Sequence, residues 1–197
     1  YFPSKIILVE NSEFNLYTID MELSYKKPTI KRHALIGDVR DRKRMFQIFQ
    51  QFKPELVFHA AALKHVPMVE SNMFEGMFTN VVGTKNVADA ASKAMVSTFV
   101  QISTDKAVNP SNIMGASKRI AESYCQALDL VGDANSTRFI TVRFGNVLGS
   151  AGSVIALFRD QISKGGPVTV TDPKMKRYFM TVREAVELVL AASALGT

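Results

Sequence analysis

The sequence predicts an α/β fold in which a doubly wound parallel sheet carries helices on both faces. Short apolar segments rich in β-branched residues alternate with longer segments of helical periodicity, which is the pattern of successive βαβ units. Polar side chains follow the carboxyl ends of five predicted strands, where an open sheet of this kind has its ligand crevice. The 197 residues, 47% of them hydrophobic, suffice for one domain with a sizeable core.

Strands and helices are predicted in alternation, with capping and breaking residues between them. The strands are expected at residues 5–10, 34–41 (including the strand exit), 56–59, 98–102 and 139–143, with a short one at 168–170. The helices are expected at residues 13–23, 42–52, 74–94, 113–131, 154–163 and 182–195. Side chains that accept hydrogen bonds from first-turn N–H groups precede several of them, and these candidate N-caps are Ser12, Asp41, Ser111 or Asn112, and Thr181.

The strand at residues 98–102 leads into the most reactive stretch of the chain. The strand is followed by Ser103–Lys106, where Asp105 and Lys106 place a carboxylate beside an amine. Adjacent residues of a regular strand point to opposite sides, so this pair is expected where the strand gives way to a loop. On the next helix, Met114 and Lys118 are four residues apart, so they share one face and both look back at the strand end.

The order of these residues resembles the active site of short-chain dehydrogenase/reductase enzymes. In those enzymes a Ser or Thr ends a strand and the following helix carries Tyr-x-x-x-Lys. Here Met114 occupies the Tyr position, and Met has no ionisable proton. The usual acid/base therefore cannot act from this helix, and the Asp105–Lys106 pair offers a replacement.

Three stretches carry a closer resemblance, to nucleotide-sugar 4,6-dehydratases of bacterial polysaccharide biosynthesis. They are residues 103–118, 143–149 and 177–180, and the similarity extends from about residue 5 to residue 195. The chain resembles the UDP-N-acetylglucosamine 4,6-dehydratase-like branch of the extended superfamily that has Met for Tyr. The resemblance implies a Rossmann-like fold, bound NAD, a UDP-sugar substrate and a 4-keto-6-deoxy product for surface polysaccharide.

The resemblance assigns the catalytic residues of this sequence. It implies that Asp105 is the acid that protonates the departing C6 hydroxyl and that Lys106 is the base that removes the C5 proton. Thr104 would hydrogen-bond the C4 oxygen of the sugar. Lys118 would bind the nicotinamide ribose, and Met114 would shape the pocket.

The resemblance also assigns residues that bind the cofactor and the substrate. Glu10 would accept hydrogen bonds from the adenosine ribose, and its charge would favour NAD over NADP because it repels a 2′-phosphate. The other cofactor positions are Asp38 and Val39 beside the adenine, the small residues Ala60, Ala61 and Ala62, Lys64, Ser103 and Lys118. Lys64, Asn146 and Arg177 would bind the substrate, and Asn80 would steady the architecture. Ordinary surface or capping roles remain the alternative for Glu10, Asp38 and Arg177, and the role of an ordinary polar helix residue remains the alternative for Asn80.

A dinucleotide-binding fold normally begins with a strand and a glycine-rich turn that holds the pyrophosphate. Nothing before Lys5 supplies that turn, so we expect the sequence to lack the first strand and to be inactive by itself. The expected domains are an NAD-binding Rossmann-like domain at residues 1–149 and part of a sugar-nucleotide-binding region at residues 150–197.

Three other functions remain open at this point. A nucleotide-sugar 4-epimerase uses the same fold but needs no chemistry at C5 or C6, and a silent dinucleotide sensor would explain Met114. A nucleic-acid-binding module is suggested only by the net charge of +6, without basic–aromatic interleaving.

The remaining expectations concern partners and location. We expect a homo-oligomer with no nucleic-acid partner, no membrane contact by this segment and no metal site, since His59 and His65 lack ligands at metal spacing. The lone Cys125 is expected as a buried apolar side chain in a reducing, cytoplasmic compartment, while a membrane anchor elsewhere in a longer protein stays open.

Overall fold

A computed structural model describes residues 3–150, 154–170 and 172–195. Its strands pair only in parallel. β1 (Lys5–Glu10) pairs with β2 (Lys31–Ile36), and β4 (Thr98–Thr104) lies between β3 (Leu56–His59) and β5 (Arg138–Phe144). A short pair joins β6 (Asn146–Val147) to β7 (Phe179–Met180). The predicted parallel α/β arrangement is confirmed.

The helices alternate with these strands and begin largely at the predicted caps. They are α1 (Glu13–Lys26), α2 (Arg42–Phe52), α3 (Val66–Ser71), α4 (Met73–Met77), α5 (Thr84–Lys93), α6 (Ile113–Val131), α7 (Val154–Ser163) and α8 (Val182–Leu195). The side chains of Ser12, Asp41, Asn112 and Thr181 each accept a hydrogen bond from a backbone N–H of the first turn.

The core lies on both faces of the sheet, because successive residues of β4 point in opposite directions. Phe99 and Val100 are both fully buried. Phe99 packs in a cluster with residues of α2, α5 and α6, which also contacts side chains of β1, β2 and β3. Val100 packs instead with Val142 of β5 and Val189 of α8. Helices therefore cover both faces, as the sequence predicted.

The strand predicted at residues 168–170 is wrong. The backbone N–H of Thr169 donates to the side-chain oxygen of Gln161 at 3.0 Å, and the Gln161 amide donates to the Thr169 hydroxyl. The Gln161 side chain of α7 thus accepts from the backbone N–H of Thr169, which is therefore not free to pair with a neighbouring strand. The C-terminal strand forms ten residues later, where β7 finds the backbone of β6.

Other boundaries also differ from the prediction. β2 begins at Lys31 and ends at Ile36, and α3 was not predicted. The long helix predicted at 74–94 is interrupted by a π-helical segment at Phe78–Gly83. Such segments occur frequently at functional sites.

The C-terminal part of the chain returns to the sheet. α8 packs against β4 and β5, so it shares a core with the first 149 residues. The division at residue 149 stays a prediction. No helix in the described ranges combines the length and the apolar character that are needed to cross a bilayer.

Candidate functional site

The carboxylate–amine pair lies at a sharp turn at the end of β4. The strand runs through Thr104, and a single 3-10 turn then forms at Asp105–Ala107. The Thr104 hydroxyl accepts from the Lys106 backbone N–H at 3.3 Å and donates to Asp105 Oδ1 at 2.9 Å. The turn places Asp105 and Lys106 on the same side, where the sequence predicted them.

Lys106 Nζ is held between two oxygen atoms. It donates to Asp105 Oδ1 at 2.9 Å and to Asn146 Oδ1 at 3.3 Å. Burial alone would raise the pKa of Asp105, but hydrogen bonds from Lys106 and Thr104 outweigh it, and the pKa is lowered. The Asp105 carboxylate is therefore ionised at neutral pH.

Met114 and Lys118 lie on the buried face of α6, as predicted. Their exposed fractions are 3% and 5%. Lys118 Nζ donates to the backbone oxygen of Ile102 at 2.7 Å. Burial lowers the pKa of Lys118 to about 8, and the nearby Glu122 carboxylate partly opposes that shift.

A glycine lets α6 approach the 3-10 turn. A Cβ atom added at Gly115 would lie 2.2 Å from the backbone oxygen of Lys106 and 3.2 Å from Pro110. Real Cβ atoms do not approach a carbonyl this closely, so only glycine fits. The contact fixes the start of the helix that carries Met114 and Lys118 against the turn that carries Lys106.

A buried ion pair joins α6 to β5, and our sequence analysis missed it. Glu122 is fully buried and accepts hydrogen bonds from the guanidinium groups of Arg143 and Arg119. Burial would raise the pKa of Glu122, but Arg143 and its other donors lower it. The signal was an acid four residues after Lys118, on the same buried face of the helix.

Asn80, within the π-helical segment, clamps the loop after β3 onto α6. Its side-chain oxygen accepts from Leu63 N at 2.8 Å, and its Nδ2 donates to Leu63 O and to Ser117 Oγ. These hydrogen bonds join the loop to the helix, and the steadying role of Asn80 in an active site stays a prediction.

His59, at the end of β3, is a structural residue in this geometry. Thr84 Oγ1 donates to Asn80 O, so the hydrogen bond between His59 Nε2 and Thr84 Oγ1 leaves the histidine as donor. Burial lowers the pKa of His59 to about 3, and the ring is neutral.

The predicted cofactor residues lie at strand exits. Glu10 ends β1, and its Oε1 accepts from Ser12 N at 3.0 Å. Asp38 is engaged by Arg40, whose hydrogen bonds lower the pKa of the Asp38 carboxyl. Gly83 packs closely on Val39. Ala60 and Ala61 are exposed and Ala62 is half-buried in the loop after β3.

An orphaned hydroxyl at the end of β4 fits a bound dinucleotide. Ser103 Oγ is buried, and within the described part of the chain no atom meets hydrogen-bond geometry with it. It lies near enough to Glu122 to help lower the pKa of that carboxyl, and its oxygen has lone pairs that can accept hydrogen bonds from a ligand. Together with Lys118 it gives two polar groups beside the turn that carries Asp105 and Lys106, which fits a bound cofactor.

Two predicted substrate residues lie on the surface. Lys64 is exposed in the loop before α3, and Arg177 is exposed just before β7, where its Nη1 donates to Lys176 O. Asn146, the third, contacts Lys106 directly. No group of three or more His, Cys, Asp or Glu side chains with metal-binding geometry occurs among the described residues.

The basic cluster after β2 is largely engaged within the fold. Arg40 pairs with Asp38 and Glu75, Arg42 lies 4.5 Å from the ring centroid of Phe46, and Arg44 donates to Ile36 O. These contacts hold the three arginine side chains against the fold, and the absence of a nucleic-acid partner stays a prediction.

Cys125 is buried in the core, 1% exposed. Burial raises the pKa of its thiol to about 12. It is an apolar core side chain, as predicted.

Comparison with known proteins gives one family over the whole chain. The sequence matches a family described as polysaccharide biosynthesis protein over residues 1–197. It is 55% identical over 98% of its length to the capsular polysaccharide biosynthesis protein CapD of Staphylococcus aureus, of which it covers 32%. It is 43% identical over 88% of its length to a UDP-glucose 4-epimerase of Rickettsia canadensis, covering 50% of that protein.

A further relative is a dehydratase. The chain is 36% identical over 97% of its length to UDP-N-acetylglucosamine 4,6-dehydratase (inverting) of Campylobacter jejuni, covering 56% of it. The chain thus spans between about a third and just over half of the length of these relatives.

Solved structures show the same fold. Pen from Bacillus thuringiensis superposes with a TM-score of 0.89 at 38% identity, over 98% of this chain and 58% of that one. UDP-glucose 4-epimerase of Thermus thermophilus, in complex with NAD, superposes with a TM-score of 0.74 at 19% identity, over 96% and 74% of the two chains. The Rossmann-like fold is therefore confirmed.

Replacing Gly115 with alanine should destabilise the protein. Ala is favoured over Gly in a helix by about 0.5–1 kcal/mol, but the clash with the Lys106 carbonyl should outweigh this gain. We expect Gly115→Ala to lower the free energy of unfolding by about 1–3 kcal/mol in urea denaturation. The matched control Ser123→Ala, on the exposed side of α6, should change it by less than about 0.5 kcal/mol. A Gly115→Ala protein more stable than its parent would contradict the contact.

The lowered pKa of Lys118 predicts a pH-dependent stability. Below pH 8 the folded and unfolded chains both carry the charge, so the folded state bears the full cost of burying it. Between about pH 8 and 10.5 the folded chain loses the proton first, and the cost falls as pH rises. At pH 7 the free energy of unfolding of Lys118→Met should therefore be higher than that of the parent by about 1–2 kcal/mol. This difference should shrink as the pH rises towards 10.5.

The matched control for this measurement is Lys93→Met, at an exposed site. Its difference from the parent in chemical denaturation should stay constant across the same pH range. If the difference in free energy of unfolding between Lys118→Met and the parent is also independent of pH, Lys118 is not buried in its charged form.

Proposed function

The chain belongs to the polysaccharide biosynthesis protein family, and we propose that its protein is a nucleotide-sugar 4,6-dehydratase. The proposed substrate is of the UDP-N-acetylglucosamine type, and the proposed product is a 4-keto-6-deoxy sugar nucleotide for surface polysaccharide. One observation carries the proposal: an Asp105–Lys106 pair ends β4, while the Tyr position of α6 holds the buried Met114. The pair supplies the two proton-transferring groups that elimination across C5 and C6 requires.

NAD is the proposed cofactor. When bound, it would supply a hydride acceptor for C4 and return that hydride to C6, so that none is consumed overall. Lys118 and Ser103 are the groups that would hold its ribose beside the turn, and Glu10 would hold the adenosine ribose. Lys118 Nζ already points at the end of β4 through its hydrogen bond to Ile102 O.

Thr104 offers a route for the proton of the C4 hydroxyl. Its oxygen donates to Asp105 Oδ1 at 2.9 Å, so it can accept a hydrogen bond from the sugar hydroxyl at the same time. Oxidation at C4 would then pass the hydroxyl proton through Thr104 to Asp105. The ionised Asp105 carboxylate, which its lowered pKa provides, is the form that can receive it. This relay would take up the proton of the C4 hydroxyl, which Met114 cannot do because its side chain has no ionisable group.

The elimination uses the pair in opposite directions. Lys106, as the neutral amine, accepts the C5 proton, which the neighbouring ketone has made acidic. Asp105, carrying the proton received through Thr104, gives it to the departing C6 hydroxyl, which leaves as water. Lys106 finally returns a proton to C5. Each proton removed from the sugar is accounted for by one of these two side chains.

A 4-epimerase is the second candidate, because a relative at 43% identity has that name. An epimerase needs proton transfer at O4 alone and leaves C5 and C6 unchanged. The Lys106 amine would then have no substrate proton to remove. A silent dinucleotide sensor remains the third reading, and a cytoplasmic homo-oligomer remains our expectation for any of them.

Glu10 should give the full-length protein a preference for NAD. Repulsion between its carboxylate and a 2′-phosphate is worth roughly 1–3 kcal/mol, or about one to two decades in affinity. Calorimetry should show that Glu10→Gln narrows the gap between NAD and NADP, while Glu13→Gln, on the exposed first turn of α1, leaves it unchanged. Equal affinities of the parent for both would show that Glu10 is not at the ribose.

The reaction can be followed by proton NMR of the full-length protein with UDP-N-acetylglucosamine in deuterated water. We expect a new C6 methyl signal and deuterium at C5. An epimerase would give only the C4 epimer, and a sensor would give no new signal.

Variants separate the steps of the same reaction. Lys106→Ala should abolish deuterium incorporation at C5, since the base is lost. Asp105→Asn should slow reduction of the cofactor, exchange at C5 and appearance of the methyl signal together by about 10²–10⁴-fold, because Asp105 takes the C4 hydroxyl proton before the ketone that acidifies C5 exists. Thr104→Val should slow reduction of the cofactor, measured by absorbance. C5 exchange at the parent rate in Lys106→Ala would place the base elsewhere.

A further inference from the structure

The amine of Lys106 has acceptors from two distant parts of the chain. Asp105 is its sequence neighbour, whereas Asn146 lies 40 residues further along and begins β6. The side chains of Lys106 and Asp105 are 27% and 33% exposed, so the group is only partly shielded from water. A lysine stem has several rotatable bonds, and one neighbouring carboxylate leaves much of their freedom. The second acceptor restricts the direction in which Nζ can point.

The backbone of β7 fixes the position of Asn146. Asn146 N donates to Tyr178 O at 2.9 Å, and Leu148 N donates to Met180 O at 2.8 Å. The preceding Gly145 packs so tightly that an added Cβ would lie 2.6 Å from Tyr178 O. Asn146 is thus held by a two-stranded ribbon, whose second strand begins two residues after Arg177.

We propose that Asn146 is a positioning residue, which aims the Lys106 amine, and that the β6–β7 ribbon sets its place. The role rests on the proposed function for its kinetic consequence, but not for the contact itself. It differs from the substrate hydrogen bond that the sequence resemblance implied for Asn146. It also links the catalytic turn to the segment that carries Lys176 and Arg177.

An amide suits this task better than a carboxylate. Its oxygen accepts a hydrogen bond from the amine in either protonation state, but it adds no charge that would hold the proton on Lys106. A carboxylate in its place would be the second one beside Nζ and would add to the effect of Asp105 in favouring the ammonium form. Asn146 therefore directs Nζ while leaving it free to exchange a proton.

Kinetics of the full-length protein distinguish positioning from substrate binding. Asn146→Leu keeps the branched shape and the number of side-chain heavy atoms but removes the acceptor. A positioning role predicts that kcat falls about tenfold or more while KM stays within about twofold. The control Asn135→Leu, in an exposed turn, should change neither. A rise in KM with kcat retained would make Asn146 a substrate ligand and overturn the proposal.

A second measurement does not depend on the reaction. Full-length protein labelled with 13C at lysine Cε reports the titration of Lys106 by NMR, with the signal assigned through Lys106→Arg. Asn146→Asp should move the titration of Lys106 upward by about one pH unit, because it adds a carboxylate beside Nζ. The Asn135→Asp control should leave it unmoved.

The two measurements separate failure of this inference from failure of the proposed function. If the parent makes no 4-keto-6-deoxy sugar, but Asn146→Asp still moves the Lys106 titration, the contact stands and the function falls. If neither Asn146→Asp nor Asn146→Leu alters the Lys106 signal, the positioning role is overturned whatever the activity.

Discussion

The contact between Gly115 and the Lys106 carbonyl is the constraint on which the site depends. It brings the first turn of α6 to the end of β4 at a distance that no other residue permits. The strand end supplies Asp105 and Lys106, and the helix supplies Met114 and Lys118. Because two rigid elements meet there without an intervening side chain, these groups have fixed relative positions before any ligand binds.

Lys118 and the Asp105–Lys106 pair differ in their burial and in the stability of their charged forms. Lys118 is nearly fully buried, and its ammonium is costly to keep, whereas Lys106 and Asp105 are partly exposed and stabilise each other. The Glu122–Arg143 pair ties α6 to β5 beside them. The proposed roles differ in the same way: Lys118 would hold the cofactor ribose, and the Asp105–Lys106 pair would exchange protons with the substrate.

Much of the fold could be predicted because its signals are local. β1, β3 and α7 have the predicted bounds, and the caps Ser12 and Asp41 were found, since apolar period and capping chemistry depend on neighbouring residues. The turn at Asp105 could be placed because adjacent strand residues diverge. β7 could not be placed, because it forms only by pairing with β6. The paired residues of the two strands lie 33 positions apart in the chain. The Glu122–Arg143 pair is missed for the same reason, as its partners meet only in the folded chain.

The central claim is that Asp105 and Lys106 replace the absent tyrosine as the proton-transferring groups. A crystal structure of the full-length protein with NAD and UDP-N-acetylglucosamine tests it most directly. The account predicts that Lys106 Nζ is the basic atom nearest to C5 of the sugar, at about 3–3.5 Å, with Asp105 within hydrogen-bond reach of O6. Another basic side chain nearer to C5, or a Lys106 amine directed away from the sugar, would contradict it.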